Sequence, residues 1–183
     1  GHLARRKSLC WGSKKEAIKA NYDSFCWANI TLQHKDINQG NWGQLEEWVY
    51  EKLSLESSNN KLSVFTGPIY GIDSMEYCGS NTPLGCGVFI PSGFFKVICY
   101  VDKNDKLSTI SFIIRQQKYL NIGILSLTEN LKVYEVSIKK IMEETKIIFP
   151  ENIVKSDVYS TALSTKETID RPKLILTMND IDL

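Results

Sequence analysis

The stretch FFKVICYV (residues 94–101), followed by LSTISFIIR (residues 107–115), determines the fold class of this chain. Both runs are rich in β-branched and aromatic residues, and a short polar loop separates them, so they predict a β-hairpin. The first run is almost continuously apolar, whereas a strand with one solvated face alternates apolar and polar residues. The sequence therefore predicts a sheet that is covered on both faces.

Helices are predicted on either side of this hairpin. The clearest signal is a set of apolar residues that recur at helical spacing, namely Trp42, Leu45, Val49 and Leu53. They predict one helix over residues 38–55. Ser13 followed by Glu16 is a capping-box pattern that predicts a helix over residues 14–20, and apolar spacing predicts another over residues 138–145.

Further strands are predicted at residues 62–66, 88–90 and 173–178, and residues 25–32 also look extended. Because the strands cluster in the middle of the chain with helices on both sides, the predicted fold class is α+β, with a central antiparallel sheet flanked by helices. A length of 183 residues suits one hydrophobic core, so residues 1–183 are predicted to form a single domain.

Composition and charge narrow the function classes. Apolar residues at 43% and charged residues at 23% exclude disordered and fibrous proteins, and no apolar run is long enough to span a membrane, so we expect a soluble chain without a membrane partner. Residues 1–20 contain six basic residues and one acidic residue, although the whole chain has a net charge of only +1. This asymmetry favours an anionic ligand, but it is also common in proteins that bind no nucleic acid.

The five cysteines lack the close spacing of a zinc site. Cys78 and Cys86 flank a polar loop, where they would either close a small disulfide ring in an oxidising compartment or remain two thiols. The sequence leaves both alternatives open.

Three short segments contain side chains that can take up a proton or bind a cation. They are GHLA at residues 1–4, NITLQ at residues 29–33 and NQGNWGQLE at residues 38–46. A metal-dependent hydrolase needs a base for the attacking water and a cation that stabilises developing negative charge. Histidine changes its charge near neutral pH, and the chain has only His2 and His34. Asparagine supplies an amide oxygen of the kind that Mg²⁺ prefers.

These segments resemble the signatures of the DNA/RNA non-specific endonucleases, a ββα-metal, His-Asn family that includes endonuclease G. GHLA looks like the second half of the family's Asp-Arg-Gly-His motif. The other two segments are similar to its Asn-x-x-Pro-Gln and Asn-x-Gly-x-Trp-x-x-Leu-Glu motifs, and weaker similarity extends to about residue 150. The resemblance implies the ββα-metal nuclease fold and a divalent-metal-dependent endonuclease that cleaves DNA and RNA and leaves 5′-phosphates.

The resemblance also implies roles for individual residues. His2 is expected to be the general base and Asn38 the protein's ligand for Mg²⁺, with Mn²⁺ as the other candidate ion. Glu46 is expected to orient water on the metal, and Asn29 to organise the site by hydrogen bonds. On a continuous helix Glu46 would lie about two turns after Asn38, roughly 12 Å along the axis. Without the motif, Glu46 would be taken for a surface glutamate.

Arg5, Arg6, Lys7 and Gln33 are the predicted contacts to DNA or RNA, because basic and amide side chains bind phosphate oxygens. The three basic residues could equally form a solvated face. His34 lies at a position that the family does not use for chemistry, and we expect it to be a solvated loop histidine.

The chain departs from the family pattern at three positions. Arg5 stands where family members usually have a proline, and Leu32 replaces the proline of the Asn-x-x-Pro-Gln motif. Tyr50 stands where several relatives have an arginine one turn after the glutamate, so a cation for the transition state would have to come from elsewhere.

The Asp-Arg half of the first motif is not in the chain, which begins at Gly1. We therefore expect an upstream segment of the same protein, ending in Asp-Arg, to complete the domain, and a trypsin-like cleavage after that arginine would leave it as a separate chain. The new α-amino group would then disfavour a charged imidazole at His2. Two rival functions are a nucleic-acid-binding relative without catalysis and a structural or inhibitory partner domain.

Overall fold

A five-stranded antiparallel sheet is the centre of the fold. The computed structural model describes residues 1–57, 61–72, 74–77, 87–116, 132–162 and 171–181, and the loop from Cys78 to Cys86 lies outside these ranges. The sheet order is β1-β4-β5-β6-β7, and β2 pairs separately with β3. The strands are β1 (Leu62–Ile69), β2 (Glu76–Tyr77), β3 (Val88–Phe89), β4 (Gly93–Val101), β5 (Leu107–Arg115), β6 (Val133–Glu135) and β7 (Lys173–Ile175).

Strands β4 and β5 form the predicted hairpin, paired in antiparallel register along their whole length. Phe94 and Ile98 belong to one cluster of buried residues, whereas Phe95 and Val97 belong to a second cluster. Successive side chains of a strand point to opposite faces, so the two clusters lie on opposite faces of the sheet. The predicted burial of both faces and the α+β class are confirmed.

Helices cover both faces of this sheet. They are α1 (Arg6–Leu9), α2 (Lys14–Asp23), α3 (Lys35–Gln39), α4 (Asn41–Trp48), α5 (Ser54–Glu56), α6 (Ile138–Thr145), α7 (Glu151–Lys155) and α8 (Val158–Ala162). Helix α4 packs in the first cluster and α6 in the second. Helix α2 begins at the predicted capping box of Ser13 and Glu16. None of the described helices is long and apolar enough to cross a membrane.

The predicted long helix is interrupted at Gly40, which corrects the expectation from the sequence. Helix α3 ends one residue before Gly40, α4 starts one residue after it, and a π-helical segment over Val49–Leu53 joins α4 to α5. The chain turns tightly here, because a Cβ atom on Gly40 would lie only 2.2 Å from the carbonyl oxygen of Asp36. Asn38 therefore lies on a separate short helix, and the helical spacing expected between Asn38 and Glu46 does not apply.

Candidate active site

A short antiparallel bridge joins the first motif to the second. His2 pairs with Ile30, and the amide of Leu3 donates a hydrogen bond to the carbonyl oxygen of Asn29 at 2.9 Å. The preceding residues Trp27–Asn29 form a 3₁₀ turn, so the extended chain predicted there is confirmed only at its end. The bridge fixes the backbone that carries the imidazole.

Asn29 strengthens this junction through its side chain. Its Oδ1 accepts a hydrogen bond from the amide of Ala4 at 2.8 Å, and its Nδ2 donates to the carbonyl oxygen of Ser24 at 2.9 Å. The amide group thus connects the GHLA segment to the end of α2, because Ser24 is the C-terminal cap of that helix. This geometry suits the organising role expected for Asn29.

The imidazole of His2 is held in one orientation. Its Nε2 lies 3.1 Å from the hydroxyl oxygen of Ser24, and that hydroxyl donates its single proton to the carbonyl oxygen of Asn21 at 2.7 Å. Ser24 therefore accepts a hydrogen bond from Nε2–H, which leaves Nδ1 as the basic atom of the neutral ring. The ring of Phe25 packs edge-on against the imidazole, with 4.6 Å between ring centroids.

The surroundings of His2 favour the neutral imidazole. Burial lowers the pKa of His2 below its ordinary value of 6.5, the positive charge of Arg6 lowers it further, and Glu46 acts in the opposite direction. At pH 7 the ring is therefore mostly in the form that can accept a proton.

Glu46 is partly buried instead of lying fully on the helix surface. Its side chain is 11% exposed, and its Oε1 lies 2.8 Å from the Nζ of Lys96, which is 4% exposed and comes from β4. The negative charge of Glu46 also raises the pKa of His2, so the carboxylate acts on the imidazole through its charge. Sequence reasoning missed Lys96, although a single lysine inside the apolar FFKVICYV run was a signal, because a buried charge needs a partner.

Asn38 lies in the last turn of α3 and is exposed to solvent. Its side-chain amide forms no hydrogen bond with the residues that the structure describes. An amide oxygen that is open to solvent suits a hard cation such as Mg²⁺, which keeps most of its water ligands. Within the described ranges, no group of three or more His, Cys, Asp or Glu side chains forms a closed metal site.

The three predicted phosphate contacts differ in their surroundings. Arg5 forms an ion pair with Glu47 of α4 and is 19% exposed, so it attaches the start of the chain to this helix. Lys7 is largely exposed, with its Nζ 3.9 Å from the carboxylate of Glu47. Arg6 is also exposed, at the start of α1. Arg6 and Lys7 are therefore more accessible to a phosphate than Arg5.

Gln33, the last residue of the second motif, and the residue after it are less open than the sequence suggested. The Oε1 atom of Gln33 is buried against Gly1, without a hydrogen-bond partner in the described part of the chain. His34 is half-buried, and its Nδ1 accepts a hydrogen bond from the amide of Asp36 at 3.3 Å, which caps α3. Gln116, at the end of β5, accepts a hydrogen bond from the amide of His34 at 3.0 Å. No local pattern marked this contact, because it joins distant segments.

Comparison with known proteins identifies the family. The family model described as DNA/RNA non-specific endonuclease matches residues 1–156, a range that contains every predicted site residue. Uncharacterized protein y4fB of Sinorhizobium fredii is 35% identical over 188 aligned positions, covering 94% of this chain and 27% of that protein. The Nuclease of Serratia marcescens is 36% identical over 98 positions, covering 54% of this chain and 33% of that protein. The chain thus spans about a quarter to a third of these relatives.

A solved structure shares the fold. A chain from the crystal structure of the EndoG/EndoGI complex, described as revealing the mechanism of EndoG inhibition, matches 81% of this chain with a TM-score of 0.53, and the match covers 57% of that chain. Its sequence identity is 23%, so this likeness shows the fold alone, which is the predicted ββα-metal nuclease fold. Since the family model covers most of the chain and the fold agrees with it, the chain belongs to the DNA/RNA non-specific endonuclease family.

Proposed function

We propose that this chain is the catalytic part of a Mg²⁺-dependent, non-specific endonuclease that hydrolyses phosphodiester bonds in DNA and RNA, with Mn²⁺ as an alternative ion. The observation that supports this function most strongly is the imidazole of His2, which Ser24 holds in one orientation and whose surroundings favour the neutral form, in a chain of this family. Contacts with the phosphate backbone, which carries no base sequence, would make the cleavage non-specific.

His2 is the proposed general base. Its Nδ1 takes a proton from the water molecule that attacks phosphorus, while Ser24 and Phe25 hold the ring in place. The bond between phosphorus and the 3′ oxygen breaks, and water protonates the leaving oxygen. The products therefore carry a 3′-hydroxyl and a 5′-phosphate.

Asn38 would hold the cation through its side-chain oxygen. When bound, the cation stabilises the negative charge that develops on the phosphoryl oxygens. We assign Glu46 to accept hydrogen bonds from water in the site through its Oε2 atom, while its Oε1 atom binds Lys96. Asn29 keeps the GHLA backbone in position and does not act on the reacting atoms.

Nicking of a supercoiled plasmid tests this function and separates it from its rivals. The endonuclease is expected to nick the plasmid in the presence of Mg²⁺, and EDTA should stop the reaction. Retardation of the plasmid in a gel without cutting would instead indicate a nucleic-acid-binding relative, and neither effect would indicate a structural domain. The 5′-phosphate is tested by kinase labelling of the products, which should require prior treatment with phosphatase.

A further inference from the structure

Lys96 is a buried cation in the middle of the central sheet. It lies opposite Thr66 of β1 and Phe112 of β5 in the strand register. By the alternation of β4 it shares a face with Phe94 and Ile98, the face that packs against α4. Lysine is almost never buried this deeply unless its charge is paired, so the residue calls for a physical explanation.

The ammonium group of Lys96 has three acceptors around it. They are Oε1 of Glu46 at 2.8 Å, the carbonyl oxygen of Leu3 at 3.3 Å and the hydroxyl of Thr66 at 3.3 Å. The Thr66 hydroxyl donates its own proton to a carbonyl oxygen of β4 at 3.0 Å, so it acts as an acceptor here. The Nζ atom also lies 5.0 Å from the ring centroid of Trp42. Three acceptors match the three N–H groups of a charged lysine, whereas a neutral amine has only two.

Two neighbouring glutamates of α4 attach the GHLA segment to the rest of the site. Glu46 binds Lys96, which also binds the backbone of Leu3, and Glu47 pairs with Arg5 just after the segment. Burial lowers the pKa of Lys96, Glu46 raises it and Arg5 lowers it. The ion pair with Glu46 therefore stabilises the charged lysine against the cost of burial.

We propose that Lys96 is a positioning residue of the nuclease site, which fixes Glu46 and the GHLA segment relative to each other and offsets the negative charge of Glu46 beside the imidazole. The inference rests on the proposed function, in which His2 takes up a proton and Glu46 binds water. Lys96 acts through these two residues and does not contact the substrate.

The charges around His2 give this role a measurable consequence. Burial and the charge of Arg6 lower the pKa of His2, and Glu46 raises it. Removal of Lys96 leaves the carboxylate of Glu46 without its compensating positive charge, which favours a proton on the imidazole. A smaller fraction of the molecules would then hold the neutral base at pH 7.

The experiment is an NMR titration of His2 in metal-free protein that carries His34→Gln, so that one histidine ring remains. In Lys96→Met the pKa of His2 should rise, and kcat should fall by about 10- to 100-fold with little change in KM for DNA. The matched control is Lys103→Met, which removes an exposed lysine 2.9 Å from a glutamate of α5 and should change neither quantity. An unchanged pKa of His2 in Lys96→Met would overturn the inference.

Lys96→Met leaves the carboxylate of Glu46 without its partner, which can prevent folding. A second pair of variants covers that case. Glu46→Gln keeps the lysine charge, whereas Glu46→Gln combined with Lys96→Met has neither charge. The pKa of His2 should be higher in the double variant, and equal values would refute the charge-offset role. The titration does not depend on cleavage. A parent protein that fails to cut plasmid DNA would contradict the proposed function, whereas only the titration decides the role of Lys96.

Discussion

At the scale of single residues, the surroundings of His2 suit the general base that we propose. Burial favours the neutral ring, and the hydroxyl of Ser24 accepts the Nε2 proton, so the lone pair is on Nδ1. The edge of Phe25 limits rotation of the ring. A general base is most effective when its unprotonated form predominates at the working pH.

Cleavage should lose activity at acidic pH, as His2 becomes protonated. Because the pKa of His2 lies below 6.5, the neutral base predominates above that pH and is lost only as the pH falls through the lowered value. The single-turnover rate at saturating Mg²⁺, measured from about pH 5 to pH 8, tests whether activity is lost on the acidic side. His34→Gln should leave the profile unchanged, whereas an acidic limb centred above 6.5 would contradict the assignment.

Asn38→Ala should weaken the response to metal more than it weakens the fold. The side chain is exposed and forms no hydrogen bond with the described residues, so its removal disturbs little packing. The Mg²⁺ concentration for half-maximal cleavage should increase by an order of magnitude or more, while the unfolding free energy stays within about 0.5 kcal/mol of the parent. Gln39→Ala is the matched control on the same helix. An unchanged Mg²⁺ requirement in Asn38→Ala would show that another group holds the cation.

At the scale of elements, the break between α3 and α4 shows what a periodic pattern misses. The apolar repeat begins at Trp42, so the extension of the helix back to Asn38 rested on the motif and not on the repeat. The close approach of Gly40 to the carbonyl of Asp36 depends on backbone geometry, which residue spacing does not report. The break places Asn38 and Glu46 on two separate helices.

Gly40→Ala tests the importance of this break. The added Cβ would lie 2.2 Å from a backbone oxygen, so α3 must shift, at a cost on the order of 1–3 kcal/mol in unfolding free energy. Because α3 carries Asn38, the Mg²⁺ requirement should increase as well. Chemical denaturation and Mg²⁺ titration of cleavage measure both effects. Gln44→Ala, at an exposed position of α4, should change neither the unfolding free energy nor the Mg²⁺ requirement. If Gly40→Ala also left both unchanged, the steric argument would be wrong.

At the scale of the whole molecule, local patterns predicted the architecture but not the contacts that assemble the site. The hairpin of β4 and β5, its burial on both faces and the capping box of α2 depend on neighbouring residues, and the sequence indicated all three. The pairs Lys96–Glu46 and Gln116–His34 join residues from distant parts of the chain. A single sequence carries no direct information on such pairing, so the motifs indicated His2 and Glu46 but not Lys96.

The positive charge at the start of the chain should make binding sensitive to salt. Arg6→Gln combined with Lys7→Gln should weaken binding equally for all DNA sequences and reduce the salt slope by about 0.9 for each lost contact with duplex phosphate. Arg5→Gln should instead lower the cleavage rate more than affinity, because Arg5 is paired with Glu47. Anisotropy titrations in EDTA at several salt concentrations measure the slope, with Lys155→Gln as the control. An unchanged slope would mean that Arg6 and Lys7 form only a solvated face.

The most direct test of the central claim is the single-turnover rate at which His2→Ala and the parent protein cut the same plasmid in saturating Mg²⁺. We expect the parent to cut, EDTA to stop it, and His2→Ala to be slower by roughly two to four orders of magnitude, with nearly unchanged affinity for DNA. A rate for His2→Ala within about tenfold of the parent, or a parent that does not cut at all, would contradict the account.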